Sequence, residues 1–203
     1  YGQPGLLEAI ERALAAAGGG ASGAETAADS AAAAADLLAR VDEFHPGGRA
    51  ATEELARLAR PLPGERVLDL GCGIGGPARR LRRLVGASGV VTGVDAVGEY
   101  CRTARALAAR TADTADVVFV EADATALDLT GPRFDLAWSQ QAQMNVPDKA
   151  AWAAAVARHL RPGGRYACFE TFAGTVDDVL YPVPWARGAG TSHLVAPDAW
   201  LAA

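Results

Sequence analysis

One glycine-rich segment constrains the fold of this 203-residue chain more than any other feature. It reads Val67-Leu68-Asp69-Leu70-Gly71-Cys72-Gly73-Ile74-Gly75-Gly76-Pro77. Glycines at alternate positions let the backbone turn sharply and come close to a flat ligand. Proline fits the first position of a helix, where its missing N–H costs nothing. The segment therefore predicts a strand, a tight loop and a helix N-terminus suited to a nucleotide-like ligand.

Strands and helices alternate at short intervals from residue 66 onward, which predicts an α/β fold with a parallel sheet covered on both faces. The expected architecture is a doubly wound, Rossmann-like sheet with strand order 3-2-1-4-5. The predicted strands cover residues 66–70, 90–95, 117–121, 134–139 and 165–171. The predicted helices between them cover residues 77–85, 98–110 and 148–160, with a turn at 161–164.

The chain divides into an N-terminal helical segment over residues 1–49 and a main domain over residues 50–203. Helices are expected over residues 4–17, 36–41 and 50–60, and an alanine-rich, low-complexity stretch lies between the first two. In the third helix we expect Leu55 and Leu58 to face inward. The N-terminal segment would then lie against the domain as a helical lid.

Charge and composition exclude several classes of protein. A net charge of −5 argues against a nucleic-acid surface, and the cluster of Arg79, Arg80, Arg82 and Arg83 is expected to be a solvated helix face. No apolar run is long enough to span a bilayer, and the start of the chain lacks a secretory signal pattern. We therefore expect a cytoplasmic protein that neither enters a membrane nor binds nucleic acid.

The cysteines do not show a metal-binding or redox-pair spacing, and the histidines do not form a ligand pattern. We expect the cysteines to be reduced, small and largely buried, and we expect no metal site. The cysteines are Cys72, Cys101 and Cys168.

The loop itself resembles motif I of the class I S-adenosylmethionine-dependent methyltransferases. Asp69-Leu70-Gly71-Cys72-Gly73-Ile74-Gly75 carries that resemblance. A dinucleotide fingerprint would place a pyrophosphate at the helix N-terminus, where Asp69 would repel it. The same carboxylate could attract an ammonium group. The resemblance implies S-adenosylmethionine as the cofactor, with the loop around its methionine and adenosine parts.

Two further acids follow the next strands. Asp95 ends the second strand, where a carboxylate in such folds bonds the ribose hydroxyls; the alternative is a cap of the next helix. Glu121-Ala122-Asp123-Ala124 resembles the methyltransferase pattern in which the aspartate contacts the adenine amino group; the alternative is a turn aspartate. Trp138-Ser139-Gln140 resembles motif IV of methyltransferases that act on small metabolites. The predicted cofactor-binding residues are Asp69, Gly71, Cys72, Gly73, Gly75, Asp95, Ala96, Asp123, Ala124 and Gln140.

The acceptor side of the site is predicted from position alone, because ligands bind beyond the carboxyl ends of parallel strands. The candidates that could contact an acceptor there are Gln141, Gln143, Asn145, Tyr181 and Trp185. The segment from Asp42 to Gly48 is similar to the lid of glycine- and sarcosine-type methyltransferases, so His45 is expected in the lid, with turn packing as the alternative. His45 and Glu170 are the two candidates for a catalytic base.

Together these features predict an enzyme that transfers a methyl group from S-adenosylmethionine to a nitrogen, oxygen or carbon atom of a small molecule. The alternative is a catalytically silent methyltransferase-like domain that binds the cofactor or a partner. A nicotinamide-dependent oxidoreductase is disfavoured, because the chain lacks a Tyr-x-x-x-Lys pair. The resemblance covers residues 44–171, and relative to the family we expect a main domain that is C-terminally truncated: either the sequence is a fragment, or the protein lacks the last strands of the family's sheet. An open sheet edge would allow a homodimer.

Overall fold

The structure is a computed structural model that describes residues 5–17, 38, 41–43, 45–110, 112–175 and 179–202. The alanine-rich stretch and most of the helix predicted over residues 36–41 lie outside the described residues. The α-helices are α1 (Leu6–Ala17), α2 (Gly48–Ala59), α3 (Gly76–Val85), α4 (Gly98–Ala108), α5 (Lys149–His159) and α6 (Pro197–Leu201). The strands are β1 (Arg66–Leu70), β2 (Val90–Asp95), β3 (Val118–Glu121), β4 (Phe134–Gln140) and β5 (Leu160–Phe169). Short 3-10 helices cover residues 124–126, 143–145 and 189–191.

The five strands form one parallel sheet in the order β3-β2-β1-β4-β5, which confirms the predicted fold class and strand order. In the register of the central strands, Leu68 lies opposite Thr92 on one side and Ala137 on the other. Because all strands run in the same direction, the carboxyl ends of β1, β2 and β4 meet at one edge of the sheet. The candidate site lies at this edge.

Both faces of the sheet are covered, as the near-continuous apolar run of β1 requires. Val67 packs with Leu81 of α3 and Ala104 of α4 on one face. Leu68, the next residue, packs with Trp152 of α5 on the opposite face. The central strand is therefore rigidly held on both sides, and it presents the following glycine loop from a fixed position.

The structure differs from the prediction at β5. The residues predicted as a turn, 161–164, lie inside this strand, which begins at Leu160. The pairing with β4 passes from Leu160 opposite Phe134 to Arg165 opposite Leu136, so the intervening residues bulge out of the ladder. Gly163 takes a positive φ of 75° within the bulge.

The prediction for α2 was wrong at one residue. Leu58 is 61% exposed, whereas Leu55 packs against the core. The buried face of the helix is defined by Thr52 and Ala56 instead. A polar residue thus occupies a core-facing position of α2, and this position turns out to belong to the candidate site.

The arginine cluster on α3 was also predicted wrongly as a solvated face. Arg79 and Arg82 are only 3% and 8% exposed. Arg82 pairs with Asp116 across 2.7 Å, and Arg79 forms a buried ion pair with Asp42. The partners come from elsewhere in the chain, so the charges are neutralised by tertiary contacts rather than by water.

None of the helices in the described ranges is long and apolar enough to cross a membrane. Within the same ranges, no group of three or more histidine, cysteine, aspartate or glutamate side chains is arranged to hold a metal ion. Cys72 and Cys101 are buried and Cys168 is half-buried, all three as free thiols.

Candidate functional site

The glycine loop, residues 71–75, connects β1 to α3 through a tightly turned backbone. The backbone N–H groups of Gly71 and Cys72 both donate to the carbonyl of Val94, at 2.8 and 3.0 Å, which fastens the loop to β2. Gly71, Gly73 and Gly75 have φ values of 74°, 53° and 82°, a region that favours glycine. The alternate glycines of the sequence therefore allow the left-handed backbone conformation that the loop adopts at these three positions.

The surroundings of two of these glycines differ. A Cβ at Gly71 would overlap the Cβ of Ala142, so the turn after β4 lies directly against the loop. A Cβ at Gly73 would meet no atom within 4 Å, because open space lies above that residue. The loop thus has one closed side, formed by the turn, and one open side where a ligand can approach the backbone.

Asp69 lies beneath the loop and is 1% exposed. Its Oδ2 atom is buried and has no hydrogen-bond partner among the described residues. Burial raises the pKa of Asp69 to about 8, and the nearby carboxylates of Asp95 and Glu43 add to the shift. An isolated buried carboxyl group beside two other acids is an arrangement that a cationic ligand would stabilise.

Asp95 ends β2 next to the loop, as predicted. Its carboxylate accepts hydrogen bonds from the backbone N–H groups of Gly73 and Val97, each at 2.9 Å. Burial raises its pKa, while these two hydrogen bonds oppose the shift. Asp95 therefore fixes the open side of the loop, and exposed Ala96 follows it.

Asp123 and Ala124 lie at the end of β3, beside the end of β2. The N–H of Ala122 donates to the carbonyl of Asp95 at 3.0 Å, which joins the two strand ends. Asp123 is exposed and caps the 3-10 helix that begins at Ala124. Its Oδ1 atom accepts from the N–H and the hydroxyl of Thr125, at 2.8 and 2.7 Å. The turn role that the sequence left open is therefore present.

Gln140 ends β4 and is 7% exposed. Its Oε1 atom accepts from the indole N–H of Trp138 at 3.0 Å and lies 3.2 Å from the hydroxyl of Thr52. Its Nε2 atom lies 3.4 Å from Nε2 of His45. Gln140 thus contacts both the sheet, through Trp138, and the N-terminal segment, through His45.

His45 is held in a small polar cluster with Glu43 and Thr52. Its Nε2 lies 3.0 Å from Oε2 of Glu43, and the Thr52 hydroxyl donates to the same oxygen at 2.5 Å. The carboxylate favours the tautomer with the proton on Nε2. The His45 ring also packs edge-on against Phe169, with 6.2 Å between centroids. The structure therefore brings His45 to Gln140.

Glu43 and Thr52 did not stand out in the sequence. The one available signal for Thr52 was a polar residue at the helical spacing of the apolar positions of α2. Thr52 and its partner Gln140 are 88 positions apart in the chain. Only the folded structure shows that these side chains form one cluster.

The N-terminal segment is also fastened to α3. The buried ion pair of Asp42 with Arg79 leaves each side chain at most 4% exposed, and Arg79 also donates to the carbonyl of Ile74 at 2.9 Å. Burial raises the pKa of Asp42 to about 6, although Arg79 opposes the shift. A Cβ at Gly76 would lie 2.6 Å from the Asp42 carbonyl oxygen. Glycine at this helix start thus permits close docking of the segment.

Glu170 follows β5 and uses both carboxylate oxygens. Oε1 accepts from the Ser139 hydroxyl at 2.5 Å, and Oε2 accepts from the N–H groups of Ala142 and Gln143, at 3.0 and 3.2 Å. Burial raises its pKa to about 7. The second candidate base is therefore engaged in holding the turn after β4.

The amide side chains predicted on the acceptor side are bound to the protein. Gln141 accepts from the Thr171 hydroxyl at 2.5 Å, and Gln143 donates to the Thr171 carbonyl at 3.0 Å. Asn145 donates to the carbonyl of Trp185 at 3.0 Å. Oε1 of Gln143 is buried without a hydrogen-bond partner in the described part of the chain.

The two aromatic residues predicted for the acceptor side lie in the segment after β5. The Trp185 indole N–H donates to the Ser192 hydroxyl at 3.1 Å, and both Trp185 and Tyr181 are half-buried. The contact with Asn145 brings Trp185 to the turn after β4. The segment therefore lies beside the predicted acceptor side.

Known proteins resemble this chain. Residues 67–164 match the family described as a methyltransferase domain. Methyltransferase GfsG of Streptomyces halstedii is 34% identical over 144 residues, which are 70% of this chain and 51% of that protein. The 27-O-demethylrifamycin SV methyltransferase of Amycolatopsis mediterranei is 38% identical over 130 residues, 62% of this chain and 47% of that protein. The chain thus spans about half the length of these relatives.

Among solved structures, the [4+2]-cyclase SpnF superposes with a TM-score of 0.62 and 25% identity, covering 75% of this chain and 54% of that one. The sheet, the glycine loop and the family match define the class. The region that carries these matches, residues 67–164, is a methyltransferase domain of the class I S-adenosylmethionine-dependent type. The cofactor of this class is S-adenosylmethionine.

Proposed function

We propose that this chain is the part of an enzyme that binds S-adenosylmethionine and directs its methyl group to a nitrogen, oxygen or carbon atom of a small molecule. One observation carries the proposal: Asp69, whose Oδ2 has no hydrogen-bond partner among the described residues, lies under a glycine loop whose open side is fixed by Asp95. A ligand with an ammonium group, a ribose and a flat base matches this set of groups.

Each part of the cofactor has a candidate partner. Asp69 would take the ammonium group, because ion pairing would relieve an isolated buried carboxyl. Asp95, with Ala96, would take the ribose hydroxyls, since its carboxylate faces the open side of the loop at Gly73. Asp123 and the N–H of Ala124 would take the adenine edge. The rest of the cofactor would lie against the backbone of Gly71, Cys72, Gly73 and Gly75. Gln140 would lie near its methionine end.

The bound cofactor supplies an electrophilic methyl group on a sulfonium. The chain's own residues have to orient the acceptor and keep water out, which is the larger part of the work in a displacement of this kind. The cluster of Glu43, His45, Thr52 and Gln140 closes the N-terminal segment over the end of β4. We propose that this closure is the lid.

A hydroxyl or carbon acceptor would need a base, whereas a neutral amine would not. His45 is the better placed of the two candidates, because the Glu43 carboxylate orients its ring at Nε2, while its Nδ1 lies 3.3 Å from the carbonyl oxygen of Pro46. Glu170 has donors on both oxygens already. The turn residues Gln141, Gln143 and Asn145, with Tyr181 and Trp185, remain the proposed acceptor side.

A second candidate function is a cofactor-binding domain without methyl transfer. The observation that favours it is the superposition with SpnF, a protein named as a cyclase. Such a domain would keep the cofactor site and use the acceptor side for another purpose. The two candidates share the same prediction for cofactor binding and differ only in turnover.

Turnover distinguishes them. The protein would be incubated with methyl-labelled S-adenosylmethionine and mixtures of small hydroxyl, amine and carbon-acid acceptors, and label in product would be counted. We expect transfer to at least one mixture and, at limiting cofactor, at least about tenfold less transfer with Asp95→Ala. Tight binding of S-adenosylhomocysteine without transfer to any mixture would favour the second candidate and contradict the first.

A further inference from the structure

Two charged side chains, half-buried Glu170 and buried Lys149, hold the turn after β4 (residues 141–148) at its two ends. At its start, Oε2 of Glu170 accepts from the N–H groups of Ala142 and Gln143. At its end, Nζ of Lys149 donates to the carbonyl of Val146 at 2.5 Å and to the carbonyl of Gln143. A carboxylate thus accepts from N–H groups at the start of the short 3-10 helix, and an ammonium donates to the carbonyl of Gln143, which also accepts from the N–H of Val146, and to the carbonyl of Val146 just after the helix.

The hydrogen bonds that hold Glu170 in place extend into the core of the domain. The second oxygen of Glu170 accepts from the Ser139 hydroxyl, which lies 2.8 Å from the hydroxyl of Tyr166. The indole N–H of Trp152 reaches the same Tyr166 hydroxyl at 3.0 Å. Lys149 is the only lysine of the chain and is 8% exposed. Residues from β4, β5 and α5 therefore fix the position of Glu170.

The gripped turn forms one wall of the proposed cofactor site. Ala142, whose N–H is held by Glu170, lies so close to Gly71 that any side chain at residue 71 would overlap it. A displacement of the turn would therefore open the closed side of the glycine loop. The position of Ala142 links Glu170 to a ligand that Glu170 does not touch.

We propose that Glu170 and Lys149 act as a clamp that holds the turn against the glycine loop, which makes Glu170 a positioning residue for the cofactor and the acceptor and makes this wall sensitive to pH near neutrality. The proposal rests on the proposed function for the identity of the ligand. It assigns Glu170 a role different from that of a base, because the clamp occupies both of its oxygens.

The pH range follows from the burial of Glu170, which raises its pKa to about 7. The titratable groups that face it are Lys149 of α5 and Tyr166 and Cys168 of β5. Burial raises the pKa of Cys168 to about 11 and that of Tyr166 further, so neither changes charge near pH 7. Ionisation strengthens the hydrogen bonds from the two amides to the carboxylate, so within the folded chain the turn is held more tightly as pH rises through neutrality, even though the same ionisation at a desolvated position lowers the free energy of global unfolding.

Amide hydrogen exchange of the ligand-free protein, followed by NMR, tests the clamp directly. We expect Glu170→Ala to reduce protection at Ala142 and Gln143 by at least about tenfold, while Glu170→Gln, which keeps an oxygen acceptor, changes it little. In the native protein, protection at Ala142 and Gln143, corrected for intrinsic rate and expressed relative to amides that exchange only by global unfolding, should rise between pH 6 and pH 8. In Glu170→Gln it should not change with pH.

Lys149→Met examines the other end. It should reduce protection at Val146, whose N–H donates to the carbonyl of Gln143 that Lys149 holds. The matched control is Glu65→Gln, because Glu65 is also a buried carboxylate that accepts a backbone N–H, from Leu62 at 2.9 Å, but lies at the start of β1. Glu65→Gln should leave the amide protection of the turn after β4 unchanged. If Glu170→Ala fails to fold, the pH profiles of the native protein and Glu170→Gln still decide.

Calorimetric titration with S-adenosylhomocysteine tests the connection to the site. We expect Glu170→Ala to weaken binding at least about fivefold and Glu65→Gln to leave it unchanged. Unchanged exchange at Ala142 and Gln143 in folded Glu170→Ala, or a native profile that does not change with pH, would overturn the clamp. Normal exchange changes with no S-adenosylhomocysteine binding in the native protein would instead support the clamp and overturn the proposed function.

Discussion

The hydroxyl of Thr52 lies 3.2 Å from Oε1 of Gln140, although the two residues are 88 positions apart. This contact joins α2 to the end of β4, and the same hydroxyl donates to Glu43 at 2.5 Å. A buried hydroxyl in a polar cluster cannot be removed without leaving its partners unsatisfied. The Thr52 side chain therefore contacts both the N-terminal segment, at Glu43, and the sheet, at Gln140.

Thr52→Val tests this relationship. The substitution keeps the shape of the side chain and removes the hydroxyl, so we expect the free energy of unfolding to fall by about 1–3 kcal/mol. Affinity for S-adenosylhomocysteine should fall as well, because the lid loses its tie. Urea unfolding and calorimetry give the two values.

Thr103→Val is the matched control. Thr103 is 0% exposed, and its hydroxyl has no hydrogen-bond partner among the described residues. Its removal should be neutral or stabilising, because no partner is left behind. Equal losses in the two variants would show that the Thr52 hydroxyl does no more than fill space.

Asp69 should release a proton when the ligand binds. Its pKa of about 8 leaves it largely protonated at pH 7, whereas an ammonium beside it favours the ionised form. Binding of S-adenosylhomocysteine should therefore strengthen as pH rises from 6 to 8 and level off above that. Titrations at pH 7 in buffers of different ionisation enthalpy should show release of about one proton.

Asp69→Asn removes the titrating group. Its binding should be weaker by about tenfold or more, and the buffer dependence should fall to that of the ligand alone. Identical buffer dependence in the native protein and Asp69→Asn would mean that the ligand cation is bound elsewhere.

Gly73→Ala should separate folding from binding. Both Gly73 and Gly163 have a positive φ, 53° and 75°, and a Cβ at either has room, with nothing nearer than 4.0 Å. Alanine at either position should therefore cost about 1–2 kcal/mol of backbone strain. Only Gly73→Ala should lose affinity for S-adenosylhomocysteine, by at least about tenfold, because its methyl group would project into the open side of the loop. Equal affinities in the two variants would place the ligand away from Gly73.

Glu170 should make stability depend on pH. Its pKa in the folded chain is about 7, above the ordinary value of 4.5, so the stability it contributes is present below pH 4.5 and is lost as pH rises to about 7. The loss amounts to roughly 3 kcal/mol. When unfolding is measured at pH 4.5, 6 and 8, the free energy of unfolding of Glu170→Gln should rise relative to that of the native protein up to about pH 7. A constant difference across this range would contradict the buried, pH-sensitive carboxyl.

The strands, their order and the position of Asp95 beside the loop were predictable because they depend on local pattern. A buried strand followed by alternate glycines and a proline fixes β1, the loop and α3 within a dozen residues. Asp95 ends the neighbouring strand, and parallel neighbours bring their carboxyl ends together. These inferences need no knowledge of distant contacts.

The rest depended on contacts between distant parts of the chain. Arg79 was expected to be solvated, since nothing nearby shows that Asp42, 37 positions away, is buried against it. Glu170 was named as one of two candidate bases, and nothing in the sequence indicated that its three donors would come from the β4 region. Thr52 looked like an ordinary helix residue. Which of His45 and Glu170 acts on an acceptor stays a prediction.

The loop between Asp69 and Gly75, fixed by Asp95, is the proposed cofactor site. Calorimetric titration of the native protein and Asp95→Ala with S-adenosylhomocysteine tests this assignment. We expect one site per chain in the native protein and at least about tenfold weaker binding in Asp95→Ala, because the variant loses both the proposed ribose partner and the hydrogen bond to Gly73. No binding by the native protein at millimolar ligand, or equal binding by a folded Asp95→Ala, would contradict it.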